Sequence, residues 1–264
     1  MKPEEMTPDR LGADRLSAGR LNADPGKPGP PRPAAARERL IVALDLPGAG
    51  EALALVDRLG PDVLWYKVGM ELFYAEGRGL VREMGARGKR VFLDLKIHDI
   101  PNTMVSALRS LAGLPVGLTT LHVQAGGEAL RACAAEARRL AESGEMSLGL
   151  LGVTRLTSLP PPNPERPWED VTALAGEALN AGLYGWIAPA AAAPVLRAAH
   201  GPAAALVCPG IRLPAQERQD QVEVGTPEQA VRGGADWIVV GRPITRAEDP
   251  SAAAREFLRR LAAV

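Results

Sequence analysis

From residue 40 onward the sequence repeats one pattern. A short apolar run, too brief and too continuous for an amphipathic helix, gives way to a longer segment whose apolar positions recur every three or four residues. The runs predict strands over 40–44, 63–68, 90–96, 118–123, 148–153, 184–188, 204–208 and 236–240. The periodic segments predict helices over 50–59, 71–87, 100–112, 126–142, 168–181, 191–199, 227–233 and 251–262. Strands such as Leu40-Ile41-Val42-Ala43-Leu44 are apolar at both parities, which suits a parallel sheet covered on both faces. Eight β-then-α units in succession predict an α/β fold, a single-domain (β/α)8 TIM barrel over 39–264. A doubly wound open sheet is the alternative, weakened because no GxGxxG follows the first strand.

Residues 1–38 do not share the pattern. They contain no Val, Ile, Phe, Tyr or Trp and are rich in Pro, Gly, Ala and mixed charge, so they are expected to form a disordered tail. Leu11, Leu16 and Leu21 recur every five residues, which fits neither helix nor strand. The whole chain carries 31 basic and 31 acidic side chains and only 4% aromatics, which argues against a nucleic-acid or membrane partner. Cys133 and Cys208 lack disulfide or zinc spacing and read as buried, reduced thiols. With no apolar run of the ~18 residues a membrane span needs, and no signal-peptide core, the expected location is cytoplasmic.

Candidate chemistry concentrates at the predicted strand ends, where a barrel builds its active site. The third strand is the densest: Val91-Phe92-Leu93 is followed by Asp94, Lys96, His98 and Asp99. Period-two alternation puts Asp94, Lys96 and His98 on one face, with Asp99 at the turn into a helix that starts near Pro101. A lysine flanked by carboxylates is held charged and oriented, as a general acid requires. Asp45 ends strand one, Lys67 strand two, and His122 and Gln124 strand four. Thr154, Thr157 and Ser158 follow strand five, Arg212 and Gln221 follow strand seven, and Gly241-Arg242 follows strand eight. Loops seven and eight suit a phosphate, with Arg242 as a bidentate clamp and the polar loop 212–222 as a lid. Plainer roles compete: Asp99 as a helix cap, Lys67 snorkelling from the barrel end, His98 and His122 as structural hydrogen-bonding groups, Arg155 and Glu128 solvated, and Asp94 with Lys96 as an ordinary rim ion pair.

Leu93-Asp94-Leu95-Lys96-Ile97-His98-Asp99-Ile100-Pro101-Asn102-Thr103 closely resembles the signature of the orotidine 5′-phosphate decarboxylases in their common bacterial form. Val42-Ala43-Leu44-Asp45, Tyr66-Lys67-Val68-Gly69, Val153-Thr154-Arg155-Leu156-Thr157-Ser158, Pro209-Gly210-Ile211-Arg212 and Val240-Gly241-Arg242-Pro243-Ile244 extend the match over 39–264. The resemblance implies cofactor-independent, metal-free decarboxylation of orotidine 5′-monophosphate to uridine 5′-monophosphate, the last step of de novo pyrimidine nucleotide synthesis. It implies Lys96 as proton donor to C6, Asp94 against the departing carboxylate, and Asp45 and Lys67 at the ribose. Thr157 and Ser158 would read the pyrimidine, and Arg212, Gln221, Gly241 and Arg242 would hold the phosphate. Asp99, with Ile100 and Thr103, would reach into the neighbouring site of a homodimer. The alternative within the same superfamily is a magnesium-dependent decarboxylase or synthase of keto-sugar phosphates.

Overall fold

A computed structural model describes residues 27–213 and 224–264. Eight parallel strands close into a barrel in sequence order: β1 (Leu40–Ala43), β2 (Trp65–Gly69), β3 (Arg90–Ile97), β4 (Val116–His122), β5 (Gly149–Val153), β6 (Gly185–Ile187), β7 (Ala205–Cys208) and β8 (Trp237–Val240). β8 returns to β1 through the register Leu40–Ile238, Ile41–Val239 and Val42–Val240. The expected TIM barrel is therefore the fold. Its helices are α1 (Ala36–Arg39), α2 (Ala49–Leu59), α3 (Met70–Ala86), α4 (Pro101–Ser110), α5 (Gly127–Glu142), α6 (Glu169–Asn180), α7 (Ala193–His200), α8 (Pro227–Arg232), α9 (Arg242–Thr245) and α10 (Pro250–Ala262).

The double-sided apolar strands split into two cores. On β1, Ile41 and Ala43 point into the barrel while Leu40 and Val42 face the helices. The outer layer is completed by helix faces such as Leu130, Cys133, Ala134, Ala137 and Leu140 of α5, spaced at three and four residues. α8 begins in a reciprocal cap: the Gln229 N–H donates to Thr226 Oγ1, and the Thr226 N–H donates to Gln229 Oε1. Asp249 caps α10 by accepting from the Ser251 and Ala252 N–H groups. The helix expected over 71–87 is interrupted, because Gly77 adopts φ 64° and ψ −151° inside α3.

The lower end of the barrel is closed by aromatic rings. Trp65 and Trp237 meet edge to face at 6.2 Å, and Tyr184 lies 6.5 Å from Trp237. The expected boundary of the tail at residue 38 needs correction here. Residues 1–26 lie outside the described part, but Gly29, Pro30 and Arg32 are bonded to this end of the barrel and α1 starts at Ala36. Tyr184 Oη donates to the Pro30 carbonyl at 2.6 Å, Ser147 Oγ bonds both the N–H and the carbonyl of Gly29, and Arg32 pairs with Asp236. Local composition missed this because the groups that order the segment belong to the barrel, with its hydrogen-bond partners Ser147 and Tyr184 more than a hundred residues away.

Both cysteines are buried and free. Burial pushes the Cys133 thiol up to about 11, with Glu136 adding to it, and the Cys208 thiol up to about 12, with Asp236 adding to it. Native protein at pH 8 should therefore react with neither thiol on the timescale on which denatured protein titrates both, as a thiol-reagent assay will read. Tyr184→Phe, which leaves the Pro30 carbonyl without its donor, should lower unfolding free energy by about 1–2 kcal/mol in denaturant titrations.

Candidate active site

At the upper end the inward positions change from apolar to charged. Phe92 on β3 faces the barrel interior, and the next inward positions on that strand are Asp94 and Lys96. Leu93, Leu95 and Ile97 pack outward, so the expected alternation holds for Asp94 and Lys96. The strand is nevertheless irregular. Leu93 pairs with Thr119 and Ile97 with Leu121, so four steps on β3 match two on β4. Lys96 sits within this bulge at φ 49°, the one non-glycine residue with positive φ among the described residues.

A chain of alternating charge runs across the mouth. Lys67 Nζ donates to Asp45 Oδ1 at 2.8 Å and lies 3.9 Å from Asp94 Oδ2. Lys96 Nζ donates to the same Asp94 oxygen at 2.9 Å. The Asp94 side chain is 13% exposed and that of Lys67 14%, so the central pair is mostly withdrawn from solvent, whereas Asp45 is open. Gly69 leaves room for the pair: a Cβ there would sit 3.0 Å from Lys67 Nζ.

These groups line a cavity of about 250 Å³. Ala43, Phe92, Val153, Ile187 and Val239 form its apolar floor, and Thr157 and Leu156 its wall below loop five. Gly210, Arg212, Gly241 and Arg242 line the part that belongs to β7 and β8, across the barrel from β3. Arg212 is buried, and the start of its loop is pinned where the Arg212 N–H donates to the Gly225 carbonyl at 2.9 Å. Of the expected site residues, the fold thus brings together Asp45, Lys67, Asp94, Lys96, Thr157, Arg212, Gly241 and Arg242. Gln221 and residues 214–222 of the expected lid lie outside the described residues.

Ser158, expected at the pyrimidine, is exposed and does not line the cavity, and Asp99 and Thr103, expected to serve the neighbouring subunit's site, are exposed and lie outside this one. Asp99 does not join the Lys67–Asp94–Lys96 chain of charge. Its Oδ1 accepts the neighbouring Ile100 N–H at 2.7 Å, and the residue at the cap of α4 is Ile100, itself 66% exposed. The strand has ended by then, so its parity no longer carries side chains toward the barrel axis. His98 likewise leaves the cavity and stacks on His122, ring centroids 5.1 Å apart.

Two residues escaped the sequence reading. Arg155, expected to be solvated, lines the cavity and is held by Asp170 at 2.6 Å, the Pro167 carbonyl at 2.9 Å and the face of Trp168 at 5.3 Å. Thr120 is fully buried, and its Oγ1 donates to Asp94 Oδ1 at 2.9 Å. The available signal was a Thr-Thr pair inside an otherwise apolar strand.

His122 is held below the ordinary histidine range, chiefly by burial and then by the positive charge of His98 and Lys96. A histidine with a depressed folded pKa binds fewer protons than its unfolded form just below pH 6.5, so its contribution to stability is full above that value and falls on acidification. Imidazole NMR should show His122 less than half protonated at pH 6.5; a ring half-protonated or more there would contradict the assignment.

The model of the Orotidine 5′-phosphate decarboxylase / HUMPS family matches residues 38–257. An orotidine 5′-phosphate decarboxylase of a Bradyrhizobium species is 43% identical over 86% of this chain and 93% of its own, and that of Alkalilimnicola ehrlichii is 46% identical over 86% and 98%. The crystal structure of orotidine 5′-phosphate decarboxylase from Lactobacillus acidophilus superposes with a TM-score of 0.73 at 35% identity, covering 87% of this chain and 99% of that one. Fold, charged mouth and relatives lead to one assignment: the chain belongs to the orotidine 5′-phosphate decarboxylase family.

Proposed function

We propose that the chain decarboxylates orotidine 5′-monophosphate to uridine 5′-monophosphate and carbon dioxide, with Lys96 as the proton donor. The observation that carries this reading is Lys96 Nζ, 2.9 Å from Asp94 Oδ2 on a cavity wall whose far side is formed by Arg212 and Arg242. The two arginines and the Gly210 and Gly241 backbone suit a phosphate dianion. Asp45 and Lys67 suit the ribose hydroxyls, the apolar floor accepts one face of a pyrimidine, and Thr157 suits its edge. Gln221 and Ser158 complete the phosphate and base contacts in this reading.

The C6–carboxylate bond then lies beside Asp94. A fixed carboxylate there disfavours the charged ground state, and Lys96 stabilises the electron pair left on C6 as carbon dioxide departs. The Lys96 ammonium delivers its proton to C6, and the neutral amine regains one from solvent. Asp94 and Lys67 are already in position, so little reorganisation accompanies the charge shift. Binding energy from the remote phosphate lowers the barrier at the reacting carbon. The reaction needs no cofactor in this scheme.

The exposed Asp99, Ile100 and Thr103 support a homodimer in which they enter the neighbouring subunit's mouth. The buried, free thiols suit a reducing cytoplasm. No helix among the described residues is long and apolar enough to cross a membrane.

Purified protein mixed with orotidine 5′-monophosphate and excess EDTA should show the absorbance decrease of decarboxylation; an inert protein would overturn the reading. Lys96→Ala should abolish turnover, at least 1,000-fold, while retaining the native melting transition. Mixing Lys96→Ala with Asp99→Ala, each inactive alone, should restore activity through hybrid dimers that contain one intact site; no recovery after subunit exchange would remove Asp99 from the neighbouring site.

A further inference from the structure

The irregular end of β3 raises a physical question: what holds a lysine in the left-handed region, where a side chain crowds its own backbone? The bulge also deprives β3 of regular ladder partners on β4 between Leu93 and Ile97. Two adjacent threonines of β4 take their place. Thr119 Oγ1 donates to the Leu93 carbonyl at 2.9 Å. Thr120 Oγ1 accepts the Lys96 backbone N–H at 2.9 Å and donates its own hydrogen to Asp94 Oδ1, also at 2.9 Å. Both threonines are fully buried.

We infer that Thr120 is a positioning residue for the reaction, acting through Asp94 and Lys96 together. A hydroxyl has one hydrogen to give and lone pairs to accept, and here each is committed to a different member of the reacting pair. The bond to Oδ1 fixes the rotation of the Asp94 carboxylate, so that Oδ2 is the oxygen facing Lys96 Nζ and Lys67 Nζ. The bond from the Lys96 N–H fixes the backbone from which the lysine side chain projects. One atom therefore sets both the carboxylate plane and the origin of the ammonium. Thr120 itself does not line the cavity, so it has no direct hold on substrate.

The inference rests on the proposed role of Asp94 and Lys96, and the experiment separates the two. Wild type, Thr120→Val, Thr120→Ala and Thr120→Ser are assayed with orotidine 5′-monophosphate, alongside the affinity of each for uridine 5′-monophosphate and each melting temperature. Valine keeps the shape and removes both hydrogen bonds; serine keeps both bonds and removes only a methyl group. Thr120→Val should lower kcat about 10- to 100-fold, the range expected for lost hydrogen bonds to a charged group, with KM and product affinity within about threefold of wild type. Thr120→Ser should recover most of that loss. A residue that serves stability alone would shift the melting temperature and leave kcat of the folded enzyme unchanged. Wild-type kcat in folded Thr120→Val, or a serine variant as slow as the valine one, would overturn the inference. Should the valine variant fail to fold, the alanine and serine pair decides by the same comparison. An inert wild type would instead overturn the reading of the site itself.

Discussion

One carboxylate held between two ammonium groups at the end of β3 is the interaction on which the upper half of the molecule depends. Asp94 is mostly buried, and a buried carboxylate is tolerated only when its charge is compensated and its oxygens are bonded. Lys96 and Thr120 supply the close contacts and Lys67 the nearby charge, with Asp45 extending the line toward solvent. These groups come from β1, β2, β3 and β4, so the arrangement exists only once the first half of the barrel is in register. Barrel closure then sets the arginine-bearing loops of β7 and β8 across the mouth from it.

The two ends of the barrel divide their work by chemistry. Below, Trp65, Trp237 and Tyr184 fill the interior, and residues 29–32 close over them through Tyr184, Ser147 and Asp236. Above, the same inward positions carry charge over a floor of Phe92, Val153, Ile187 and Val239. A packed lower core gives a rigid frame for a mouth that holds like and unlike charges at fixed spacing. Preorganised charge is useful for catalysis because the frame resists its relaxation.

Among the described residues, the one non-glycine position with positive φ is the lysine proposed as proton donor. Lys96 has positive φ within a bulge, and its neighbours on β4 carry the hydrogen bonds that a regular ladder would have carried. The proposed mechanism and the local backbone irregularity thus fall on the same atoms, as expected where packing over-determines an unfavourable conformation.

The fold was written in local patterns. Short runs apolar at both parities, alternating with helical periodicity, specify parallel strands covered on both faces, and eight such units with no GxGxxG after the first favour a closed barrel over a doubly wound open sheet. The identity of the mouth residues was equally legible, because strand parity and the C-terminal-end rule place Asp45, Lys67, Asp94, Lys96, Arg212 and Arg242 without knowledge of their neighbours. What the sequence left open depends on contacts between distant segments. The bulge arises from the pairing of β3 with β4, so the left-handed Lys96 and the double role of Thr120 are invisible to any one-strand rule. Asp99 and His98 leave the cavity because the strand stops, and parity says nothing beyond its end. Residues 27–38 are ordered by a floor assembled from β2, β6 and β8. Hydrophobic patterning is local and fixes the architecture; hydrogen-bond partners and strain are set by long-range register, which only the closed barrel decides.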